Sequence, residues 1–348
     1  MTSCRRRSEN CWGKSKDLIA VRNKMKLSPK GEAGLLTCIG KHFRFPGDKR
    51  LILGPGDDCA VLRTTPGKAL VITTDELVEH THFLRRFAGP ELLARKLMRV
   101  NLSDLASMGR VRPVSCLVGS GLPKNIPAGF VLRLIGELKK EALKFGLSVA
   151  GGNLSGAREM HFYMTVWGEA DGKSLVTRYG ARPGDILFSL GPLGEAKAGL
   201  EILKGGRAAE KKRFRSLVRG FWEPKPFLKE GALIGDRALA SAMLDNSDGL
   251  GRSAVILSEL SRCRVRLQAG PDSVSPALAA YAAAKGRSWR EYVLSGGEDY
   301  GLVFTARPGK AGLVKKLLPA AAAVGRVEKG KGVIVEGYEG RIESFRHF

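Results

Sequence analysis

The sequence predicts a mixed α/β protein built as two domains. Apolar, β-branched runs alternate with amphipathic stretches, and that alternation resets after the Arg182-Pro183-Gly184-Asp185 turn. Size agrees: 348 residues, 43% of them hydrophobic and 26% charged, can bury more than one core. The expected division is a basic extension over 1–27, a first domain over 28–180 and a second over 181–348.

Taken in order, the first 24 residues are polar and basic with no apolar h-region, so they read as a disordered tail rather than a secretory signal. Met25 opens a more ordinary sequence and is a second candidate start. A helix is expected over 32–43, where Leu35, Leu36 and Ile39 fall at helical spacing. Leu70-Val71-Ile72 reads as a strand that delivers Thr73-Thr74-Asp75 at its end. Pro90 suits the first turn of a helix running to Met108, with Gly109 as its stop. A strand over 114–118, an amphipathic helix over 128–145, a strand from Leu147 ending in Gly151-Gly152, and a strand over 161–167 complete the first half.

The second half reads as a strand over 186–190, a helix over 194–203 and a polar surface stretch over 205–212. A mostly helical segment over 226–243, a helix over 248–262 and a strand over 265–267 follow.

Charge narrows the partners. There are 58 Lys and Arg against 34 Asp and Glu, a net charge of +24, and such a field attracts phosphorylated and other polyanionic molecules without choosing among them. The cations are spread along the chain with no aromatic-rich RNA-binding signature or zinc-finger spacing, so a basic solvated surface is favoured over a nucleic-acid site. Six cysteines without a CxxC pair read as reduced and cytoplasmic. No apolar run reaches the roughly 18 residues of a membrane span.

The chemistry gathers in five acidic motifs at the ends of expected elements: Gly56-Asp57-Asp58, Thr73-Thr74-Asp75, Asn101-Leu102-Ser103-Asp104, Asp245-Asn246-Ser247-Asp248-Gly249 and Gly296-Gly297-Glu298-Asp299. Each alone is a common turn or cap signal. Together they suggest a shared acidic pocket, because carboxylates, hydroxyls and carbonyls are hard ligands suited to Mg²⁺ bridging phosphates. Gly168–Ser174 ends in Gly-Lys-Ser but is one residue short of a Walker A loop and begins in a strand, so it is set aside. His80-x-His82 has no third nitrogen or sulfur ligand, which favours a hydrogen-bonding or stacking histidine over a metal site.

In their order these motifs resemble the thiamine-monophosphate kinase family, a branch of the superfamily that includes aminoimidazole ribonucleotide synthetase and selenophosphate synthetase. The matching segments are Gly54-Pro-Gly-Asp-Asp-Cys-Ala60, Thr73-Thr-Asp-Glu-Leu77 with His82-Phe83, Val100-Asn-Leu-Ser-Asp-Leu-Ala-Ser-Met-Gly109, and Gly151-Gly152. Thr177-Arg178, Gly180-Ala-Arg-Pro-Gly-Asp185, Asp245-Asn-Ser-Asp-Gly-Leu250, Leu294-Ser-Gly-Gly-Glu-Asp-Tyr300 and terminal His347-Phe348 continue the match.

The resemblance implies a two-domain α/β (α+β) fold of the aminoimidazole ribonucleotide synthetase type. Its N-terminal domain would give strands to the central barrel of a homodimer, with the ATP cleft along that domain. It implies phosphorylation of thiamine monophosphate to thiamine diphosphate by direct in-line transfer from ATP, with several Mg²⁺ ions and no acid–base residue. It assigns Asp58, Thr74, Asp75, Asp104, Asn153, Asp245 and Asp248 to metal, and Gly152, Asn153, Arg178 and Ser247 to ATP. His82, Glu298 and Phe345 go to thiamine phosphate.

One position departs from the family pattern. Gly-Gly-Asp is expected where this chain has Gly151-Gly152-Asn153, which keeps an oxygen ligand but removes a charge and implies a raised Mg²⁺ requirement. Competing readings are another ATP-using enzyme of the superfamily, or a non-catalytic nucleotide- or nucleic-acid-binding protein. The Ser295-Gly-Gly-Glu-Asp-Tyr300 segment and terminal His-Phe favour the thiamine branch.

Overall fold

A computed structural model describes residues 51–53, 61–62 and 69–338. The expected helix over 32–43 therefore lies outside the described residues, as do Asp58, Phe345 and the His347-Phe348 terminus.

Two short strands, β1 (Leu51–Leu53) and β2 (Val61–Leu62), pair antiparallel. A four-stranded sheet follows, built from β3 (Ala69–Val78), β4 (Gly109–Leu122), β5 (Ser148–Gly156) and β6 (His161–Leu175) in the order β3-β6-β4-β5. Helices α1 (Pro90–Ser107) and α2 (Ala128–Phe145) lie side by side on one face of it. Pro90 opens α1 and Gly109, at φ 89°, carries the chain out of it as expected. The α2 bounds agree with the sequence reading, and Gly146 closes that helix in the left-handed region.

The two helices are stitched by matched ion pairs at four-residue spacing. Arg95 Nε donates to Glu137 Oε1 at 2.7 Å, and Arg99 Nε donates to Glu141 Oε2 at 2.8 Å. Both glutamates are buried, so each needs its arginine to offset lost hydration.

The second sheet has six strands, β7 (Ile186–Leu190), β8 (Ala242–Asp245), β9 (Arg264–Leu267), β10 (Leu302–Ala306), β11 (Ala321–Glu328) and β12 (Gly332–Val335). Their order is β12-β9-β11-β7-β10-β8, with only the β12–β9 pair parallel. The helices of this half are α3 (Glu195–Gly205), α4 (Ala208–Arg213), α5 (Arg215–Trp222), α6 (Leu228–Asp236), α7 (Leu250–Ser261), α8 (Pro276–Ala284), α9 (Trp289–Ser295) and α10 (Ala311–Leu317).

The mixed α/β class stands, and three details differ from the sequence reading. The strands of the first sheet are long: β3 has 10 residues and β6 has 15, so Thr73-Thr74-Asp75 and Gly151-Gly152 sit within strands rather than at their ends. Polar residues on the exposed sheet face had masked that length. Within the stretch over 205–212, Gly205 ends α3 and Ala208 begins the short helix α4, which is too polar to show a helical apolar stripe. The segment expected to be helical to Met243 instead breaks after α6, and Ala242–Asp245 is a fully buried strand. A continuous apolar run cannot distinguish those two states by periodicity.

The halves are closely joined. Ala196, Leu203, Phe221 and Trp222 pack into the core of the first sheet. Helix α6 meets α1 and β6 through Gly231 and Gly235, one turn apart. A Cβ on them would stand 2.1 Å from the Ala106 carbonyl oxygen and 2.3 Å from that of Ser174. Only glycine allows that approach. No helix among the described residues is long and apolar enough to cross a membrane.

Candidate active site

The site forms where α1 crosses between the two sheets. Period-2 alternation along β3 turns Thr73 and Asp75 inward, toward the helix layer, and Thr74 outward. On α1, Ser103 and Asp104 face the same space as Lys96, two turns earlier. Strand β8 ends at Asp245, and the following loop carries Asn246, Ser247 and Asp248. The segment 296–300 folds over that loop, with Glu298 N–H donating to Ser247 O at 2.6 Å and Tyr300 N–H to Asn246 O at 3.1 Å.

Hydroxyl donors orient the carboxylates. Thr73 Oγ1 donates to Asp104 Oδ2 at 2.7 Å. Asp245 accepts from Ser103 Oγ at 3.2 Å and from Ser247 Oγ at 3.0 Å. Asp75 accepts the backbone N–H of Glu76 at 2.7 Å.

These bonds do not balance the negative charge. Burial pushes the Asp75 carboxyl up to about 6 from its usual 3.8. The charges of Asp245 and Glu298 push the same way, against the pull of the Glu76 N–H. Burial also raises Asp104 and Asp245, each is raised further by a neighbouring aspartate, and Arg178 pulls both back down. Carboxylates held together under such strain are short of positive charge.

Among the described residues, no three His, Cys, Asp or Glu side chains converge closely enough to form a metal cage by themselves. Mg²⁺ in phosphoryl-transfer sites commonly takes one or two carboxylates and completes its shell with phosphate and water. The donor set of hard oxygens with unspent negative charge fits that mode.

The sequence-derived residues divide on this frame. Asp75, Asp104, Asp245, Arg178, Ser247 and Glu298 come together, and Asp248 is half-buried in the loop beside them. Thr74 lies on the opposite face of β3, where its Oγ1 donates to Met164 O at 3.0 Å. Gly152 and Asn153 are exposed on edge strand β5. The register Glu76–Tyr163–Gly119–Asn153 puts three strand spacings, roughly 14 Å, between Asn153 and β3. Gly152 is fixed by packing, since a Cβ there would stand 1.8 Å from Val118 O. His82 lies in the turn after β3, where its Nδ1 accepts from Val78 N–H at 3.0 Å.

Asp299, part of the last acidic motif, turns away from the cluster. It accepts from Gly194 N–H at 2.6 Å and Ala196 N–H at 3.0 Å, closing the N-terminus of α3. Burial lifts its carboxyl to about 8 against those two bonds.

Three participants escaped the sequence reading. Thr73 was adjacent to a motif residue, and alternation would have set it on the Asp75 face. Ser103 lay inside a motif as spacing. Lys96 gave no signal, because a lysine in an amphipathic helix reads as solvated. Here it is fully buried.

The fold and the motifs have relatives. The domain described as AIR synthase related protein, N-terminal domain, matches residues 56–170. Thiamine-monophosphate kinase of Mycobacterium tuberculosis is 32% identical over 327 residues, covering 93% of each chain. The crystal structure of thiamine-monophosphate kinase from Stenotrophomonas maltophilia superposes with TM-score 0.76 at 26% identity, covering 91% of this chain and 99% of that one. AaThiL complexed with AMPPCP and TMP superposes with TM-score 0.74 at 31% identity, covering 93% and 99%. By sequence over nearly its whole length and by fold, this chain belongs to the thiamine-monophosphate kinase family.

Proposed function

We propose that this protein transfers the γ-phosphoryl group of ATP to thiamine monophosphate, giving thiamine diphosphate and ADP. The observation that carries the reading is the convergence of Asp75, Asp104 and Asp245 from three separate elements at a junction also reached by Arg178 and Glu298. The complex of AaThiL with AMPPCP and TMP supports it, because that relative aligns across 93% of this chain.

Asp75, Asp104 and Asp245 would hold Mg²⁺ here, with Asp58 and Asp248 as further ligands that the family resemblance implies; Thr74 and Asn153, which it also implies, lie on the outer sheet face and would serve a separate ion. When bound, the ions would neutralise phosphate oxygens and keep two polyanions in line. The chain's own contributions are positional. Thr73, Ser103 and Ser247 fix the carboxylate oxygens, and Arg178 supplies a permanent cation toward the nucleotide phosphates. The acceptor phosphate is ionised near neutral pH, so no residue has to remove a proton. Gly152 would contact ATP through its backbone. His82, Glu298 and Phe345 would face thiamine phosphate, Glu298 as counter-charge to its cationic ring.

The reading includes a cytoplasmic homodimer, with its nucleotide and metal site built on the 28–180 domain and completed by Asp245, Ser247 and Asp248 of the second. Leu70, Ile72, Leu117 and Tyr163 are exposed on one face of the four-stranded sheet, opposite the helices. An apolar face of this kind on an otherwise charged molecule suits burial against a second copy. The test is incubation with ATP, Mg²⁺ and thiamine monophosphate, with products read by mass spectrometry. Absence of thiamine diphosphate from folded protein across a wide Mg²⁺ range would overturn the proposal.

A further inference from the structure

Lys96 is fully buried, and its ammonium is set in an unusual place. Nζ stands 2.8 Å from Glu298 Oε1, 3.6 Å from the centroid of the Phe221 ring and 5.4 Å from that of Trp222. The contact with Glu298 is a buried ion pair. Burial pushes the ammonium's pKa down, while the charges of Glu298 and Asp75 push it back up. A lysine stripped of water needs compensation of this kind, here from one carboxylate and two aromatic faces.

Three distant segments meet at this nitrogen. Lys96 comes from α1, the aromatic pair ends α5, and Glu298 lies in the loop before β10. Glu298 has φ 67° and Tyr300 has φ 52°, left-handed values that non-glycine residues adopt at a cost. Backbone ties to Ser247 and Asn246 hold that conformation. With Oε1 buried against Lys96, the exposure that remains to the Glu298 side chain, 24%, belongs to its stem and second oxygen.

We infer that Lys96 is a positioning residue for acceptor recognition: braced by Phe221 and Trp222, it holds one oxygen of Glu298 so that the other meets the cationic organic ring of the acceptor. The inference rests on thiamine monophosphate being the acceptor and on Glu298 facing it. Lys96 does not itself touch substrate. Its contribution is to keep the carboxylate aimed and unable to swing, so that little ordering remains to be done on binding.

Lys96→Met tests this, since a thioether side chain of similar length packs well on aromatic rings and a buried ion pair can often be replaced by a hydrophobe without loss of fold. Calorimetric titration with Mg²⁺ present measures the Kd of thiamine monophosphate in the presence of AMPPCP, and that of AMPPCP alone. The expected result is about tenfold weaker thiamine monophosphate binding with AMPPCP affinity changed less than about twofold, and Lys96→Met/Glu298→Gln no weaker than Glu298→Gln alone. Phe221→Leu, which loosens the brace and keeps the charge, should weaken thiamine monophosphate in the same selective manner by a smaller factor. It also serves if Lys96→Met does not fold.

Equal losses for both ligands, additive losses in the double variant, or an unchanged thiamine monophosphate Kd would overturn the positioning role. Failure of the unsubstituted protein to bind thiamine monophosphate at all would instead overturn the functional reading beneath it.

Discussion

The acidic cluster makes a prediction that runs against the usual effect of altering a buried residue. Asp75→Asn should stabilise the metal-free protein at alkaline pH. The amide is nearly isosteric and its oxygen can still accept the Glu76 N–H. The Asp75 carboxyl is lifted to about 6 from 3.8, chiefly by burial and then by the charges of Asp245 and Glu298. A folded-state pKa above the unfolded one means the native state binds more protons between those values, so stability falls as pH rises through that window.

At 1.36 kcal/mol per unit, the full cost of ionised Asp75 is about 3 kcal/mol, present at pH 8 and about half developed at pH 5. Asparagine carries none of it. Urea unfolding in chelator should therefore show Asp75→Asn more stable than the parent by up to about 3 kcal/mol at pH 8, with a clearly smaller gain at pH 5. Added Mg²⁺ should raise the parent's stability more than the variant's, and the variant should lose thiamine diphosphate formation by orders of magnitude. A variant no more stable than its parent at pH 8, or a gain indifferent to pH, would refute the claim that burial and neighbouring charge hold the Asp75 carboxyl above its ordinary range.

Other substitutions probe separate links. Asn153→Asp should lower the Mg²⁺ concentration needed for half-maximal turnover by restoring the family's charge, and an unchanged Mg²⁺ dependence would remove the reason given for that departure. Ile72→Asp, at a position 59% exposed on the open sheet face, should convert the proposed dimer to monomer in light scattering while leaving monomer stability within about 0.5 kcal/mol. A dimer that survives it does not use this face. Asp299→Ala strips the acceptor from two buried N–H groups at the start of α3 and should cost about 1–3 kcal/mol in urea unfolding, with turnover per folded molecule retained. A loss of activity at unchanged stability would instead make Asp299 part of the chemistry.

Much of the fold was legible where a local rule had no competitor. The α2 bounds follow from an uninterrupted 3.6-residue stripe and a closing glycine, and α1 from Pro90 and Gly109. The β3 and β6 strands were read short because their outer faces carry Thr74, Glu76 and Glu169, which break an apolar run without breaking alternation. Strand β8 was hidden by the opposite problem. Ala242, Met243 and Leu244 are all buried, so no alternation survived to mark them as extended.

The site divides along the same physical line. Motif order was enough to gather Asp75, Asp104 and Asp245, since each ends or lies on an element whose direction the pattern set. It could not say which neighbour shares a face, and that decides whether Thr73 or Thr74 meets Asp104. Alternation settles it in favour of Thr73, whose hydroxyl reaches Asp104 at 2.7 Å, while Thr74 bonds across the outer face. Lys96 lay beyond any such rule. Its burial depends on Phe221 and Trp222 arriving from more than a hundred residues away. A lysine's environment is a tertiary fact, so a helix that looks half-solvated in sequence can carry its most consequential cation on the inside.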